Sequence, residues 1–176
     1  MQQPTYYSNG LRFTCTRCSI CCRHEPGYVF LTKNDLKLLV SELKIEYTEF
    51  VNTYCRWISG LGGRISRLSL KEKPNYDCIF WENGCKYYSA RPLQCRAFPF
   101  WYSILQSKNA WDEAARSCPG MGNGTLHNAE YIEDWLRQQH AQSMVLKTDP
   151  IPGELSCEFD FGASVDPFLP PSCPDK

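Results

Sequence analysis

The sequence predicts a small α+β domain with a short antiparallel sheet and several helices. Its 176 residues are enough for a single core, and its 43% hydrophobic and 22% charged residues are ordinary for a globular protein. Stretches rich in β-forming residues are mixed along the chain with stretches of helical period, which is the pattern of this class.

The first half of the chain is predicted to contain one strand and two helices. Tyr28–Leu31 is rich in β-forming residues, which favours a short strand. Thr32 and Asp35 have the spacing of a capping box, and leucines at helical spacing follow as far as Leu43. A second helix is predicted over 48–58, with four side chains facing the core: Phe50, Val51, Tyr54 and Trp57.

The second half is predicted to contain a strand, a hairpin and two helices. Ile65, Leu68 and Leu70 belong to the strand, and Cys78–Trp81 turns back into 86–88 as the hairpin. Pro92 is expected at the first position of a short helix, and Phe98–Trp101 returns the chain to an extended path. A long amphipathic helix is predicted over 128–147, with these side chains buried: Tyr131, Ile132, Trp135, Leu136 and Met144.

Charge and hydropathy argue against two classes of partner. Lysine and arginine balance aspartate and glutamate at 19 each, so nothing indicates a nucleic-acid partner. No stretch approaches the roughly 18 apolar residues that a membrane span requires. The N-terminus lacks the basic and apolar regions of a signal peptide, so we expect a cytoplasmic protein whose thiols stay reduced.

Four thiols are concentrated in one short segment, at Cys15, Cys18, Cys21 and Cys22. In a reduced protein, thiolates this close together need a shared positive charge, and a metal supplies one. The C-x-x-C step lets two sulfurs converge on one ion, and a second such step, ending at Cys21, goes beyond a lone redox pair. The segment therefore predicts a metal ion or an iron–sulfur cluster.

Four further cysteines lie at predicted turns and helix starts: Cys78, Cys85, Cys95 and Cys118. The eight thiols are enough for two four-thiolate sites or one shared cluster. Because Cys21 and Cys22 are adjacent, two separate centres, or a bridging thiolate, explain the pair best. Three close cysteines and a distant Cys-Pro also follow a ferredoxin pattern, which would group four ligands in one cluster: Cys15, Cys18, Cys21 and Cys118.

The chain is predicted to divide into a cysteine-cluster metal-binding domain at 11–147 and a weakly structured, proline-rich tail at 148–176. Cys157 and Cys173 lie in that tail, where a permanent site is not expected. Cys55 is expected to be an ordinary buried side chain on an apolar helix face.

Histidines and arginines near the cysteines are candidates for supporting roles. His24 could complete a Cys₃His site but is expected at the surface or outside the ligand shell, and His127 and His140 are expected on solvated helix positions. Arg91 and Arg96 flank Cys95 and could offset thiolate charge; Arg17 and Arg23 flank the first segment. An apolar wall around the cysteines is expected from Trp81, Phe98, Phe100, Trp101 and Tyr102.

Two groups of motifs carry a resemblance to a known family. The first is Phe13-x-Cys15-x-x-Cys18-x-x-Cys21-Cys22-Arg23. The second comprises Cys78-Ile-Phe80, Gly84-Cys85-x-Tyr87, Arg91-Pro-Leu-Gln-Cys95-Arg-x-Phe98-Pro-Phe100 and Cys118-Pro-Gly120. From about residue 11 to residue 125 the chain resembles the YkgJ-type cysteine-cluster proteins, a zinc- or iron-chelating family. The resemblance implies metal chelation by the eight cysteines.

Three functions remain open from the sequence. The first is a non-catalytic protein that holds zinc or iron for structure, storage or delivery, because closed four-thiolate sites have no open position for substrate. The second is an iron–sulfur protein, for example with a 4Fe–4S cluster, in electron transfer or in support of a modifying enzyme. A related cysteine cluster occurs in FliB-type enzymes that methylate flagellin lysines, although this chain is short for both a cluster and such a domain. The third is a thiol enzyme that uses a cysteine pair.

Overall fold

The structure, a computed structural model, describes residues 5–60 and 65–149 and has the predicted α+β class. Helices pack beside two separate two-stranded antiparallel sheets, where one sheet was expected. The strands are β1 (Leu11–Phe13), β2 (Cys55–Ser59), β3 (Ser66–Leu70) and β4 (Met121–His127). The helices are α1 (Lys33–Leu43), α2 (Tyr47–Tyr54), α3 (Leu93–Ala97), α4 (Tyr102–Leu105), α5 (Lys108–Ser117) and α6 (Ala129–Ala141).

The two sheets differ in how regularly their strands pair. β2 and β3 pair along their full lengths, whereas β1 pairs with the two ends of the longer β4. Leu11 lies opposite His127 and Phe13 lies opposite Met121, so residues 122–125 bulge out of the ladder. This bulge lies directly beside the start of the first cysteine segment.

Each sheet has its own hydrophobic cluster. The cluster beside β2 and β3 includes Leu31, Leu39, Phe50, Leu68 and Phe80. The cluster beside β1 and β4 includes Tyr7, Phe100, Trp111, Met121 and Ile132. Cys78 packs at the edge of the first cluster and Cys118 at the edge of the second, so each cluster supports a different thiol-bearing segment.

The predicted capping box at the start of α1 is confirmed. The Thr32 hydroxyl accepts a hydrogen bond from the Asp35 backbone N–H at 3.1 Å, and the Asp35 carboxylate accepts one from the Thr32 backbone N–H at 2.9 Å. Leu36 and Leu39 are buried on the inner face of the helix. Local sequence was sufficient here because both capping partners lie within one helical turn.

The predicted second helix is too long. α2 ends at Tyr54, and the next five residues form β2 instead of continuing as a helix to Ile58. Backbone pairing with β3 overrides the helical pattern, and the large side chains of Trp57 and Ile58 suit a strand. Cys55 is buried as expected, but on a strand.

The predicted strand at Tyr28–Leu31 and hairpin at 78–88 are only isolated bridges. Phe30 bridges to Ser69 and Trp81 bridges to Cys85. The chain does reverse at 82–85, but turn hydrogen bonds take the place of a ladder: Trp81 N–H donates to the Cys78 carbonyl at 2.8 Å. Pro92 occupies the N-cap position of α3 and not its first helical position.

The last helix is also shorter than predicted. α6 ends at Ala141, and the chain then pairs with the region before α1, where Met144 bridges to Thr32 and Val145 N–H donates to the Leu31 carbonyl at 2.9 Å. Ile132 is fully buried, whereas Tyr131 is 39% exposed. A helical period cannot reveal such a change of partner.

Four elements were not predicted at all: β1 near the start of the chain, and β4, α4 and α5 in its second half. None of the helices in the described ranges has the length and apolar character needed to cross a bilayer. Cys157, Cys173 and the predicted tail from residue 150 onward lie outside the described residues.

Candidate metal centre

The first cysteine segment leaves β1 and turns tightly. Arg17 and Ser19 adopt left-handed backbone conformations with φ of 57° and 65°, and a single 3₁₀ turn covers Ile20–Cys22. The Cys22 thiol donates to the Ser19 carbonyl at 3.2 Å. Cys15, Cys18 and Cys21 are exposed, whereas Cys22 is half-buried. The turns thus prevent the four thiols from alternating along an extended chain.

The second cysteine segment is joined to the first by a backbone hydrogen bond. Cys78 N–H donates to the Cys22 carbonyl at 2.9 Å, although 55 other residues separate these two positions in sequence. The bridge between Trp81 and Cys85 then brings the Cys85 turn back toward Cys78. Three of the predicted ligands therefore lie on directly connected backbone.

Cys95 is placed by a carboxylate that serves two helices. Besides capping α1, Asp35 accepts a hydrogen bond from the Leu93 N–H, the first residue of α3, at 2.7 Å. Asp35 is 1% exposed, and burial is the main reason that its pKa is raised, against the effect of these hydrogen bonds. Because α3 is short, fixing its first residue also fixes Cys95.

Cys118 is placed by close backbone packing on the other sheet. Thr14 N–H donates to the Gly120 carbonyl at 3.3 Å, which sets the segment after Cys118 against the residue before Cys15. A Cβ atom on Gly120 would lie 2.3 Å from the Thr14 carbonyl oxygen, and one on Gly124 would lie 2.2 Å from the Thr14 hydroxyl oxygen. Glycine at these two positions permits the close approach.

The thiols influence one another's ionisation. The adjacent Cys22 thiol lowers the pKa of Cys21 to about 7, with a smaller contribution from the Arg91 charge, whereas the pKa of Cys22 is raised. Burial raises the pKa of Cys78 to about 11 and also raises those of Cys85, Cys95 and Cys118. Binding of a metal would therefore have to displace protons from most of these thiols.

The same electrostatic effects indicate which thiols are neighbours. The thiols of Cys21, Cys78 and Cys95 raise the pKa of Cys22, and that of Cys85 raises the pKa of Cys95. The thiols of Cys18 and Cys21 contribute to the raised pKa of Cys118. Seven of the eight predicted ligands are therefore close enough to at least one other to influence its ionisation: Cys18, Cys21, Cys22, Cys78, Cys85, Cys95 and Cys118.

The donor chemistry fits zinc or iron, because soft thiolates are the ligands that both metals use in cysteine-rich sites. The side-chain positions, however, do not form a closed coordination sphere. Across residues 5–60 and 65–149, no three Cys, His, Asp or Glu side chains are placed so that they could hold one ion together. Rotation of the thiols within this neighbourhood would be needed to complete a site.

Guanidinium groups stacked on aromatic rings surround the thiols. Arg91 lies 3.6 Å and Arg17 lies 4.4 Å from the centre of the Tyr88 ring, and Arg23 lies 3.6 Å from that of Trp81. Stacking orients each planar cation while leaving hydrogen-bonding edges available. The charges of Arg91 and Arg17 can offset the negative charge of a thiolate site, whereas that of Arg23 is paired with Asp77.

The expected aromatic wall is only partly present. Phe98 and Phe100 line a cavity of about 250 Å³ together with Cys15, Arg96 and His127. Tyr102, by contrast, is 76% exposed and does not contribute to a wall. Phe98 and Phe100 therefore lie beside Cys15, whereas Trp81, which bridges to Cys85, lies beside the cysteines of the other segment.

Two of the three histidines lie where expected. His24 and His140 are exposed. The prediction for His127 is wrong, because it ends β4, where its Nε2 lies 3.0 Å from the Phe13 carbonyl oxygen and its ring stacks on Tyr131 at 4.5 Å between centroids. Strand pairing with β1, which was not predicted, explains the difference.

Two buried carboxylates near the cysteines were missed. Asp77 is 2% exposed and pairs with Arg23 at 3.0 Å, and Asp35 supports the helix of Cys95. Burial alone would raise the pKa of Asp77, but hydrogen bonds from Arg23 and Asn75 lower it below its ordinary value. One signal was available: an arginine directly follows Cys22 and an aspartate directly precedes Cys78.

Comparison with known proteins is consistent with this donor set. Residues 14–119, more than half of the chain, match the family model CxxCxxCC, described as "Putative zinc- or iron-chelating domain". The chain is 31% identical over 137 residues to "Uncharacterized protein MJ0661" of Methanocaldococcus jannaschii, which covers 72% of this chain and 68% of that protein. No solved structure matches the chain.

Proposed function

This chain belongs to the CxxCxxCC family of zinc- or iron-chelating domains, and we propose that it holds its metal through cysteine thiolates for structure, storage or delivery. One observation carries the proposal: the hydrogen bond from Cys78 N–H to the Cys22 carbonyl joins two cysteine segments that are remote in sequence. Thiolates from remote segments can share an ion only if the fold brings those segments together.

The proposed ligands are all eight cysteines, divided between two four-thiolate sites. One site would use Cys15, Cys18, Cys21 and Cys118; the other would use Cys22, Cys78, Cys85 and Cys95. The contact of Thr14 with Gly120 supports the first grouping, and that of Cys22 with Cys78 supports the second. Adjacent cysteines assigned to different sites also avoid the awkward geometry of two neighbouring ligands on one ion.

An iron–sulfur cluster in the first of these sites is the second candidate. The spacing of Cys15, Cys18 and Cys21 with Cys118-Pro119 favours it, and so does the electrostatic effect of Cys18 and Cys21 on Cys118. Such a cluster would supply one-electron transfer, alone or in support of a protein-modifying reaction.

We further propose that the metal-binding unit comprises residues 11–147, with 148–176 as an accessory tail. A cytoplasmic location fits this function, because clustered metal-binding thiols need a reducing compartment. The proposed binding partner is a metal ion or cluster, and neither nucleic acid nor a membrane is proposed as a partner.

The test is metal content in protein purified anaerobically and never oxidised. Zinc in stoichiometric amount with no colour supports the first candidate, whereas iron with absorption near about 400 nm, the range expected for a thiolate-bound cluster, supports the second. Thiol titration with and without a chelator separates both from a thiol enzyme, whose cysteines would react freely in the metal-loaded protein. Protein that contains neither zinc nor iron and takes up neither would contradict the proposal.

A further inference from the structure

A partly buried ion pair connects the two cysteine segments independently of the thiols. Arg23 Nε lies 3.0 Å from Asp77 Oδ1, and the Asp77 side chain is 2% exposed. Arg23 directly follows Cys22, and Asp77 directly precedes Cys78. The ion pair thus lies next to the hydrogen bond between the backbones of those two cysteines.

Neighbouring contacts hold both members of the pair in place. The Arg23 guanidinium stacks on Trp81, and the Asn75 side chain donates to the second Asp77 oxygen at 2.9 Å. Trp81 is itself fixed by its N–H, which donates to the Cys78 carbonyl at 2.8 Å. Both carboxylate oxygens therefore have a partner, as a buried charge requires.

We propose that Arg23 and Asp77 are positioning residues that hold Cys22 and Cys78 side by side before any metal binds. A buried ion pair contributes little net stability compared with apolar packing, and its best-attested use is to fix one register. Here the register is that of two segments that bear proposed ligands. The benefit for metal binding rests on the proposed function, whereas the role of the ion pair in holding Cys22 beside Cys78 does not.

Preassembly of the two segments would favour metal binding. Bringing Cys22 and Cys78 together restricts the long loop between them, which costs conformational entropy. When the fold already restricts this loop, metal binding does not have to offset that cost. Loss of a residue that orients metal ligands typically weakens metal affinity about 10–100-fold. Removal of the ion pair should therefore weaken binding although every thiol is retained.

The direct test uses metal-free protein. Amide hydrogen exchange is measured in reduced, chelator-treated protein for the wild type and for Asp77→Asn. The Cys78 amide should exchange about tenfold faster in the variant, which corresponds to losing roughly one hydrogen bond of local stability. The Thr14 amide, bonded to Gly120 on the other side of the cluster, should be unchanged.

The matched control is Asp149→Asn, which removes the charge of another ion pair, that with Lys33 at 3.1 Å. It should leave both amides unchanged. Arg23→Lys, which keeps the charge but not the planar stack on Trp81, should retain most of the Cys78 protection, whereas Arg23→Gln should lose it. If Asp77→Asn does not fold, the two Arg23 variants decide the question.

A Co²⁺ titration then measures the effect on binding through thiolate charge-transfer absorption. Asp77→Asn should bind about 10–100-fold more weakly at the site containing Cys22, and Asp149→Asn should match the wild type. Unchanged exchange at Cys78 in Asp77→Asn, or a change no larger than in Asp149→Asn, would overturn the proposal. If the wild type binds no metal, the proposed function fails, but the exchange experiment still decides the role of the ion pair.

Discussion

Around Cys22 and Cys78, side chains reinforce a single backbone hydrogen bond between the two segments, whereas around Cys15 and Cys118 close backbone packing joins them. The first side uses the ion pair of Arg23 with Asp77 and the stack on Trp81. The second side uses the pairing of β1 with β4 and glycines against Thr14. Different substitutions should therefore disrupt the two sides: loss of a charge should disrupt the first, and an added side-chain volume should disrupt the second.

The largest expected effect separates the two sides through their thiols. Cys95→Ser should lose the ion of the Cys22–Cys78 side, and Cys18→Ser that of the Cys15–Cys118 side, each with local unfolding, because metal binding and folding share one free energy. Elemental analysis and thermal melting of each variant measure this.

Cys173→Ser, outside the proposed ligand set, is the control and should keep full metal content. Loss of all metal in both Cys95→Ser and Cys18→Ser would show one shared cluster and remove the distinction between the sides. Full metal content and unchanged melting in Cys18→Ser would show that the ligand assignment is wrong.

The next effect tests backbone packing on the Cys15–Cys118 side. Gly120→Ala should destabilise the fold by about 1–3 kcal/mol, because its Cβ would lie 2.3 Å from the Thr14 carbonyl oxygen. Urea unfolding of the metal-free protein measures the loss. Gly27→Ala is the control, since a Cβ at Gly27 has no neighbour within 4 Å. Equal stability of the two variants would contradict the close-packing account.

A smaller effect on the same side depends on pH. Burial, and then a hydrogen bond to Glu133 at 2.7 Å, raise the pKa of Tyr7 to about 12. Since the folded state favours the protonated phenol, this stabilisation is complete below the ordinary tyrosine pKa and is lost as pH rises toward the folded value. Wild type should therefore lose more stability than Tyr7→Phe between about pH 9 and about pH 11.

Urea unfolding at both pH values measures the difference. Tyr7→Phe should also be less stable at neutral pH by about 1 kcal/mol, because a partly buried hydrogen bond is removed. Parallel loss in both proteins at high pH would mean that Tyr7 is not responsible for the pH dependence.

The smallest expected effect is that Cys55, in the hydrophobic cluster that also contacts Cys78, does not react with an alkylating reagent in the native protein. Burial raises the pKa of Cys55 to about 12, so almost no thiolate exists at about pH 8. In chelator-treated native protein, iodoacetamide should leave Cys55 unmodified by mass spectrometry and should modify it after denaturation. Rapid labelling of Cys55 in the native state would show that this core opens.

Local interactions were predictable from the sequence, and long-range pairing was not. The capping box of Thr32 and Asp35 lies within one turn, and its helix was confirmed. The end of α2 depends on β3, and the end of α6 depends on the strand-like region before α1. These partners are distant in sequence, so periodicity alone could not locate the boundaries.

The candidate site shows the same limit. The family was recognised from cysteine spacing, and the match to residues 14–119 confirms it. The eight cysteines remain predicted ligands. What the spacing could not reveal is which segments touch, as in the bond from Cys78 to Cys22, or that Asp77 is buried beside them.

The shared carboxylate of Asp35 couples the beginning of the first helix to a thiol far along the chain. Since one side chain caps both α1 and α3, fraying of α1 would release the turn that presents Cys95. Occupancy of the site and the integrity of that distant turn must then reinforce each other, because linkage is reciprocal. Metal binding should consequently slow the local unfolding of the backbone at Thr32, a residue that contributes no ligand.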